Sequence, residues 1–155
     1  MKKLFLIFII FYIAINSQAQ HNVILIIADD IGTDYFGFYE YGKDTVDVPN
    51  IRFLLKKGIR FSNAMSNPVC SSTRAGILTG RYSFRTKVGG IVGGEGGSNP
   101  LDTSETTIPR LLNAYNPKIA KANIGKWHLQ QAMPVANLKF PNVLGYDHYE
   151  GGFIG

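Results

Sequence analysis

Apolar positions along this chain come in short runs whose spacing alternates between two periods, with turn-forming residues between them. Asn22–Ala28 is an unbroken run rich in β-branched residues, the pattern of a strand buried on both faces of a parallel sheet. Thr33–Tyr41 is aromatic and polar and is read as a loop, with Gly37 and Gly42 in and beside it. Pro49 then opens a helix whose apolar face is Ile51, Leu54 and Leu55 and which Gly58 ends. Ile59–Met65 is expected to be a second strand. A helix from about Ser71 to Thr79 follows, barred from starting earlier by Pro68 and closed by Gly80, with Cys70 at its N-terminus and Ser71, Ser72 and Thr73 as cap-type residues.

The rhythm breaks between Arg81 and Asn99, where glycines crowd from Gly89 to Gly97. No phosphate-loop spacing occurs there, and a flexible loop near the functional site is expected. Thr106 or Thr107 starts a further helix carrying Ile108, Leu111, Leu112 and Tyr115, which Asn116-Pro117 stops. Lys118–Ile124 is expected to be a strand delivering Gly125-Lys126-Trp127-His128. The remainder, from Pro134 onward, is turn-rich. Strand, helix, strand, helix is the cadence of an α/β fold.

The start of the chain reads as a targeting segment. Lys2 and Lys3 precede an apolar run from Leu4 to Ile15, and Ser17-Gln18-Ala19 supplies small residues for cleavage after Ala19. The run is short for a membrane span. Residues 1–19 are therefore expected to be a signal peptide, with no stable membrane anchor and a periplasmic or secreted product. The remaining residues, 20–155, suit one globular domain at 45% hydrophobic and 17% charged residues. Lys2 and Lys3 carry two of the formal +5 charges, leaving +3 on the rest. Basic residues are scattered apart from Lys56-Lys57, so no nucleic-acid-binding stripe is present. The single cysteine excludes an internal disulfide, and no zinc-ligand spacing occurs.

Three stretches carry candidate chemistry. Asp29 and Asp30 close the first apolar run, where open α/β sheets place their ligands. Two adjacent carboxylates repel unless something neutralises them, and their oxygens suit calcium or magnesium; a solvated Asp-Asp turn is the plainer alternative. Cys70 at a helix N-terminus meets unpaired N–H groups and the positive end of the helix dipole. Arg74, four residues on, lies on the same side and offers a planar fork for sulfate or phosphate oxygens; the plainer alternative is a buried cysteine beside an arginine paired elsewhere. Lys126 and His128 alternate with Trp127, so an extended backbone sends both to one side, a cation beside a proton shuttle. A surface lysine and a strand-end histidine would leave the same trace.

Taken in order, Ala28-Asp29-Asp30, Pro49-Asn50-Ile51, Cys70-Ser-Ser-Thr-Arg74, Leu78-Thr-Gly-Arg81, Gly125-Lys-Trp-His-Leu129 and Gly145-Tyr-Asp147 resemble the type I sulfatases of the alkaline-phosphatase-like superfamily. The resemblance covers essentially all of residues 20–155. It implies an α/β fold, a mixed and mostly parallel sheet sandwiched by helices, of which this chain is an incomplete N-terminal part. It implies that a formylglycine-generating maturation enzyme oxidises Cys70 to formylglycine, and that the hydrated aldehyde attacks the sulfur of a sulfate ester. Asp29 and Asp30 would hold a calcium ion (or magnesium) that also contacts residue 70. Arg74 would steady the formylglycine and the metal site, Lys126 would bind sulfate, and His128 would orient the formylglycine hydroxyls. The substrate would be a sulfated small molecule or glycan. Ser72 and Gln130 depart from the family pattern, which commonly has Pro or Ala and Gly at those positions. Two other functions compete: a phosphodiesterase or phosphonate hydrolase of the same superfamily, and a non-catalytic remnant that binds sulfated glycans.

Overall fold

The structure is a computed structural model and describes residues 22–42, 46–93, 96–131 and 138–152. The expected signal peptide lies outside these residues.

After a single 3-10 turn at Thr33–Tyr35 the chain forms α1 (Pro49–Lys57), α2 (Cys70–Thr79), α3 (Ser83–Thr86), α4 (Ile108–Tyr115), β1 (Ala122–Ile124), α5 (Phe140–Val143) and β2 (His148–Glu150). Local chemistry explains most of these boundaries. Pro49 stands in the first turn of α1, and the Gly58 N–H closes that helix on the Leu54 carbonyl. Gly80 takes the left-handed conformation, at φ 66°, that ends α2. Thr107 caps α4, its hydroxyl oxygen accepting from the Arg110 N–H.

β1 and β2 pair in parallel, with Ala122 opposite His148, Asn123 opposite Tyr149 and Ile124 opposite Glu150. At the start of the pair the buried Lys121 ammonium meets the Asp147 carboxylate at 2.9 Å, while the same carboxylate accepts from the Lys121 N–H at 2.8 Å. Beyond the strands the pairing runs on: the Gly125 N–H donates to the Glu150 carbonyl and the Trp127 N–H to the Gly152 carbonyl. Gly151 makes this continuation possible. Its φ is 154°, and a Cβ there would lie 2.0 Å from the Gly125 carbonyl oxygen.

The core lies beside this short sheet. Trp127, 2% exposed, packs edge-on against Tyr146 and Tyr149 and shares a cluster with Ala75 and Leu78 of α2, Val88, Val92, Leu101, Leu129 and Leu144. The glycine-rich stretch is thus less loose than expected. Val88 and Val92 are fully buried, the Val92 N–H donates to the Ser71 hydroxyl at 3.1 Å, and Val92 bridges Ser98 in parallel.

Several expected elements differ. Residues 22–28 form no strand, and Val23 is 89% exposed, Ile24 83% and Ile26 79%. Residues 59–65 likewise form none, with Ile59, Phe61 and Met65 exposed. Only Ala122–Ile124 of the expected 118–124 strand pairs. A strand of the interior kind needs a hydrogen-bonded neighbour on each side and cover on both faces. Among the described residues the only sheet is the pair β1–β2, and it reaches neither segment. For the same reason the apolar stripes of α1 and α4, including Leu54 and Leu111, face outward.

The Thr107 hydroxyl also donates to the Leu144 carbonyl at 2.5 Å from a fully buried position. Replacing it with valine keeps the shape and removes both bonds. Thr107→Val is expected to lower stability by about 1–3 kcal/mol in urea unfolding, the cost of a lost cap and an orphaned carbonyl.

Candidate active site

Cys70 is the first residue of α2, and its half-buried position leaves Sγ 3.1 Å from Nδ1 of His128. The helix start is held by hydroxyls that donate backward. Ser72 Oγ donates to the Val69 carbonyl, and Thr73 Oγ1 lies in reach of the Val69 and Asn67 carbonyls. Among the described residues no side chain caps the N-terminus, contrary to the capping role expected of these residues. The Asn67 Nδ2 donates to the Ser72 carbonyl at 3.3 Å.

One turn along, the Arg74 guanidinium is almost buried. Nη1 donates to the Lys126 carbonyl at 2.6 Å and Nη2 to Asp29 Oδ1 at 3.1 Å. The other carboxylate oxygen of Asp29 accepts from the Lys126 ammonium at 2.6 Å. Five of the six expected site residues, Asp29, Cys70, Arg74, Lys126 and His128, therefore form two linked groups of contacts. They are drawn from three segments up to 97 residues apart. Asp30 follows Asp29 with φ 55°, left-handed, and makes no side-chain hydrogen bond or ion pair among the described residues.

Lys126 and His128 reach the site by a route the sequence did not suggest. The strand ends at Ile124, and His128 sits at φ 56° with Trp127 driven into the core between them. A non-glycine residue in that region costs roughly 1 kcal/mol or more and persists where surrounding packing imposes it. The buried indole of Trp127 and the Leu101 N–H donating to the Leu129 carbonyl supply that packing.

The electrostatics follow the contacts. Hydrogen bonds from Lys126 and then Arg74 hold the Asp29 carboxyl below its usual range. The bond to Asp29 raises the Lys126 ammonium, with the neighbouring Cys70 adding to the effect. Burial pushes His128 down, reinforced by the nearby Lys126 and Arg74 charges. Nδ1 faces Sγ, and which of the two donates follows the tautomer of the ring.

The acidic pair was also read as a metal site together with Cys70. Among the described residues no group of three or more His, Cys, Asp or Glu side chains gathers around one point. Both Asp29 oxygens already accept from cations. Calcium takes six to eight oxygens, so the described residues do not by themselves fit it.

Sequence reasoning missed Ser71 and Val92, whose contact packs the glycine-rich stretch against the start of α2, and Asn67, which braces the same turn. The only available signal was the position of Ser71, next to the sole cysteine.

A half-buried thiol at a helix start, a neutral imidazole against it, and two cations sharing one carboxylate suit chemistry on an anionic ester. Comparison with known proteins places the chain in a family. The family model described as Sulfatase matches residues 21–153. The chain belongs to the sulfatase family. It is 36% identical over 138 residues to human arylsulfatase D, covering 84% of this chain and 23% of that protein. It is 32% identical to human steryl-sulfatase, covering 80% and 22%. With N-acetylgalactosamine-6-O-sulfatase of Bacteroides thetaiotaomicron it shares 36% identity over 74% of this chain and 21% of that one. A crystal structure of Ps i-CgsB superposes with a TM-score of 0.68 at 33% identity, over 84% of this chain and 27% of that one. The α/β, alkaline-phosphatase-like fold class expected from the sequence thus holds. The chain spans about a quarter of the length of these relatives. No helix among the described residues is long and apolar enough to cross a membrane.

The low His128 pKa has a sign that can be checked. In the unfolded chain His128 takes a proton near 6.5. The folded chain resists that proton to lower pH, so its contribution to stability is complete above 6.5 and is lost as pH falls through that range. NMR titration should find the His128 imidazole below the free value. Lys126→Met should raise it while leaving it under the free value, because burial, the larger cause, remains.

Proposed function

We propose that this chain forms the nucleophile-bearing part of a sulfuric ester hydrolase, with residue 70 acting as formylglycine. One observation carries the reading. The Cys70 side chain lies 3.1 Å from His128 at the start of α2, and Arg74 of the same helix is bonded to Asp29 and to the backbone of Lys126. The nucleophile, a proton-handling ring and two cations are thereby tied into one framework.

When formed, the aldehyde would supply a hydrate: one hydroxyl would take the sulfuryl group as the ester's alcohol leaves with a proton, and the other would give up its proton as the carbonyl re-forms and sulfate departs. This chain's own residues do the rest. Neutral His128, which now faces Sγ, would orient the hydroxyls and take a proton from one of them. The Lys126 ammonium, kept charged by Asp29, would receive the sulfate oxygens and offset their charge through the reaction. Arg74 would hold Asp29 and the Lys126 backbone in place, so that the lysine need not reorganise when the anion arrives.

A calcium ion on Asp29 and Asp30 belongs to the same reading. Its remaining oxygens would have to come from outside the described residues, and no step above is routed through it. The reading also includes a sulfated small molecule or glycan as substrate, a separate enzyme that matures Cys70, and export of the product.

The test is mass spectrometry of the tryptic peptide Phe61–Arg74 from protein expressed in its natural host. An aldehyde at position 70 is the expected result. An intact thiol in every molecule would overturn formylglycine as the nucleophile, and Ser72 makes the measurement a demanding one.

A further inference from the structure

Outside the site, the loop after Asp30 and the helix that follows it build a second cluster. Phe36 and Phe38 stack with ring centres 5.2 Å apart and planes 20° from parallel, and Tyr39 leans on Phe38 at the same separation. Two guanidinium groups lie on these rings. Arg52 of α1 stands 5.9 Å over Phe38, and Arg60, just past α1, stands 5.5 Å over Tyr39 and donates to the Phe38 carbonyl. Neither arginine is paired with a carboxylate among the described residues, unlike Arg74 and Arg81. The three rings are half-buried, so they are fixed enough to act as a base, while both arginines are exposed. Tyr35 and Tyr41 add exposed rings on the same loop.

A guanidinium set over a ring can keep N–H groups for a further acceptor; Arg52 makes no other bond among the described residues, and Arg60 gives one N–H to the Phe38 carbonyl and keeps the rest. The ring holds the group still, and the free edge presents a planar fork to an oxyanion. Two such forks on one aromatic cluster amount to a preorganised anion reader. Exposed tyrosine faces beside it suit the C–H face of a sugar. Glu40, exposed next to Tyr39, would repel a dense or poorly placed anion.

We propose that Arg52 and Arg60, set on Phe36, Phe38 and Tyr39, form an accessory binding site for a sulfate group on a glycan chain, separate from the Cys70 site. The choice of a glycan rests on the sulfatase reading above; the anion site itself does not. In a sulfatase, such a site would hold one sulfated unit of a polymer while another is presented to residue 70, raising its effective concentration there.

The experiment measures affinity of the full chain for chondroitin sulfate and for unsulfated chondroitin by isothermal titration, with circular dichroism confirming that each variant folds as the parent does. The expected results are preference for the sulfated polymer and loss of affinity of roughly tenfold or more in R52A/R60A, as two charge-assisted contacts disappear. R52K/R60K keeps the charges but not the forks and should also bind more weakly. Loss of binding in R52A/R60A with binding kept in Arg85→Ala would assign it to this cluster, whatever residue 70 proves to be. The proposal fails if R52A/R60A binds like the parent. It also fails if Arg85→Ala, which removes another ring-stacked arginine, at Phe84, weakens binding as much, since net charge alone would then account for it. Equal affinity for both polymers would overturn the assignment to sulfate.

Discussion

The guanidinium of Arg74 is the contact on which the site depends. It rises from the second turn of α2 and fastens two distant parts of the chain, Asp29 in the first apolar segment and the backbone at Lys126. A nearly buried guanidinium is stable only when its donors find acceptors, and a carboxylate together with a carbonyl oxygen is a strong pair of them. Its Nε remains buried without an acceptor, so the cluster is not fully satisfied among the described residues. Remove the arginine, and Asp29 keeps a single cation while the Lys126 carbonyl loses its bond to the helix that bears Cys70.

Below that contact stands a packing constraint. Trp127 occupies the core beside Tyr146 and Tyr149, while its neighbours Lys126 and His128 meet Asp29 and Cys70. The backbone meets this demand by turning His128 into a left-handed conformation and by running the β1–β2 hydrogen bonding on through Gly125 and Trp127. Core and site are two sides of the same few residues. The charges then act in sequence: Asp29 raises the Lys126 ammonium, and burial, reinforced by Lys126, pushes His128 down.

Much of this was legible because local rules decided it. Pro49 and Gly58 bound α1, Pro68 and Gly80 frame α2, and Thr107 starts α4, each for reasons that act within a few residues. The meeting of Cys70, Arg74, Lys126 and Asp29 was expected only through the ordered motifs, since no local pattern encodes a contact across 97 residues. What misled was the apolar run at 22–28. Its composition records the environment of an interior strand, but burial is a property of neighbours, and β1 and β2 do not lie beside it. The glycine-rich stretch misled in the opposite direction: glycine content suggested looseness, while Val88 and Val92 anchor it in the core. Left-handed backbone at Asp30 and His128 had no sequence signal, because both residue types tolerate it without requiring it.

The position of the indole has one more consequence. Trp127 is the sole tryptophan, it is buried with its Nε1 unpartnered among the described residues, and it is covalently flanked by the lysine and histidine of the site. Its fluorescence is therefore an intrinsic reporter, blue-shifted by its dry surroundings and answerable to one place in the molecule. Any occupant that shifts the ammonium on one side or the imidazole on the other must alter the electric field across that ring. Light emitted at a single wavelength can follow the site without a label.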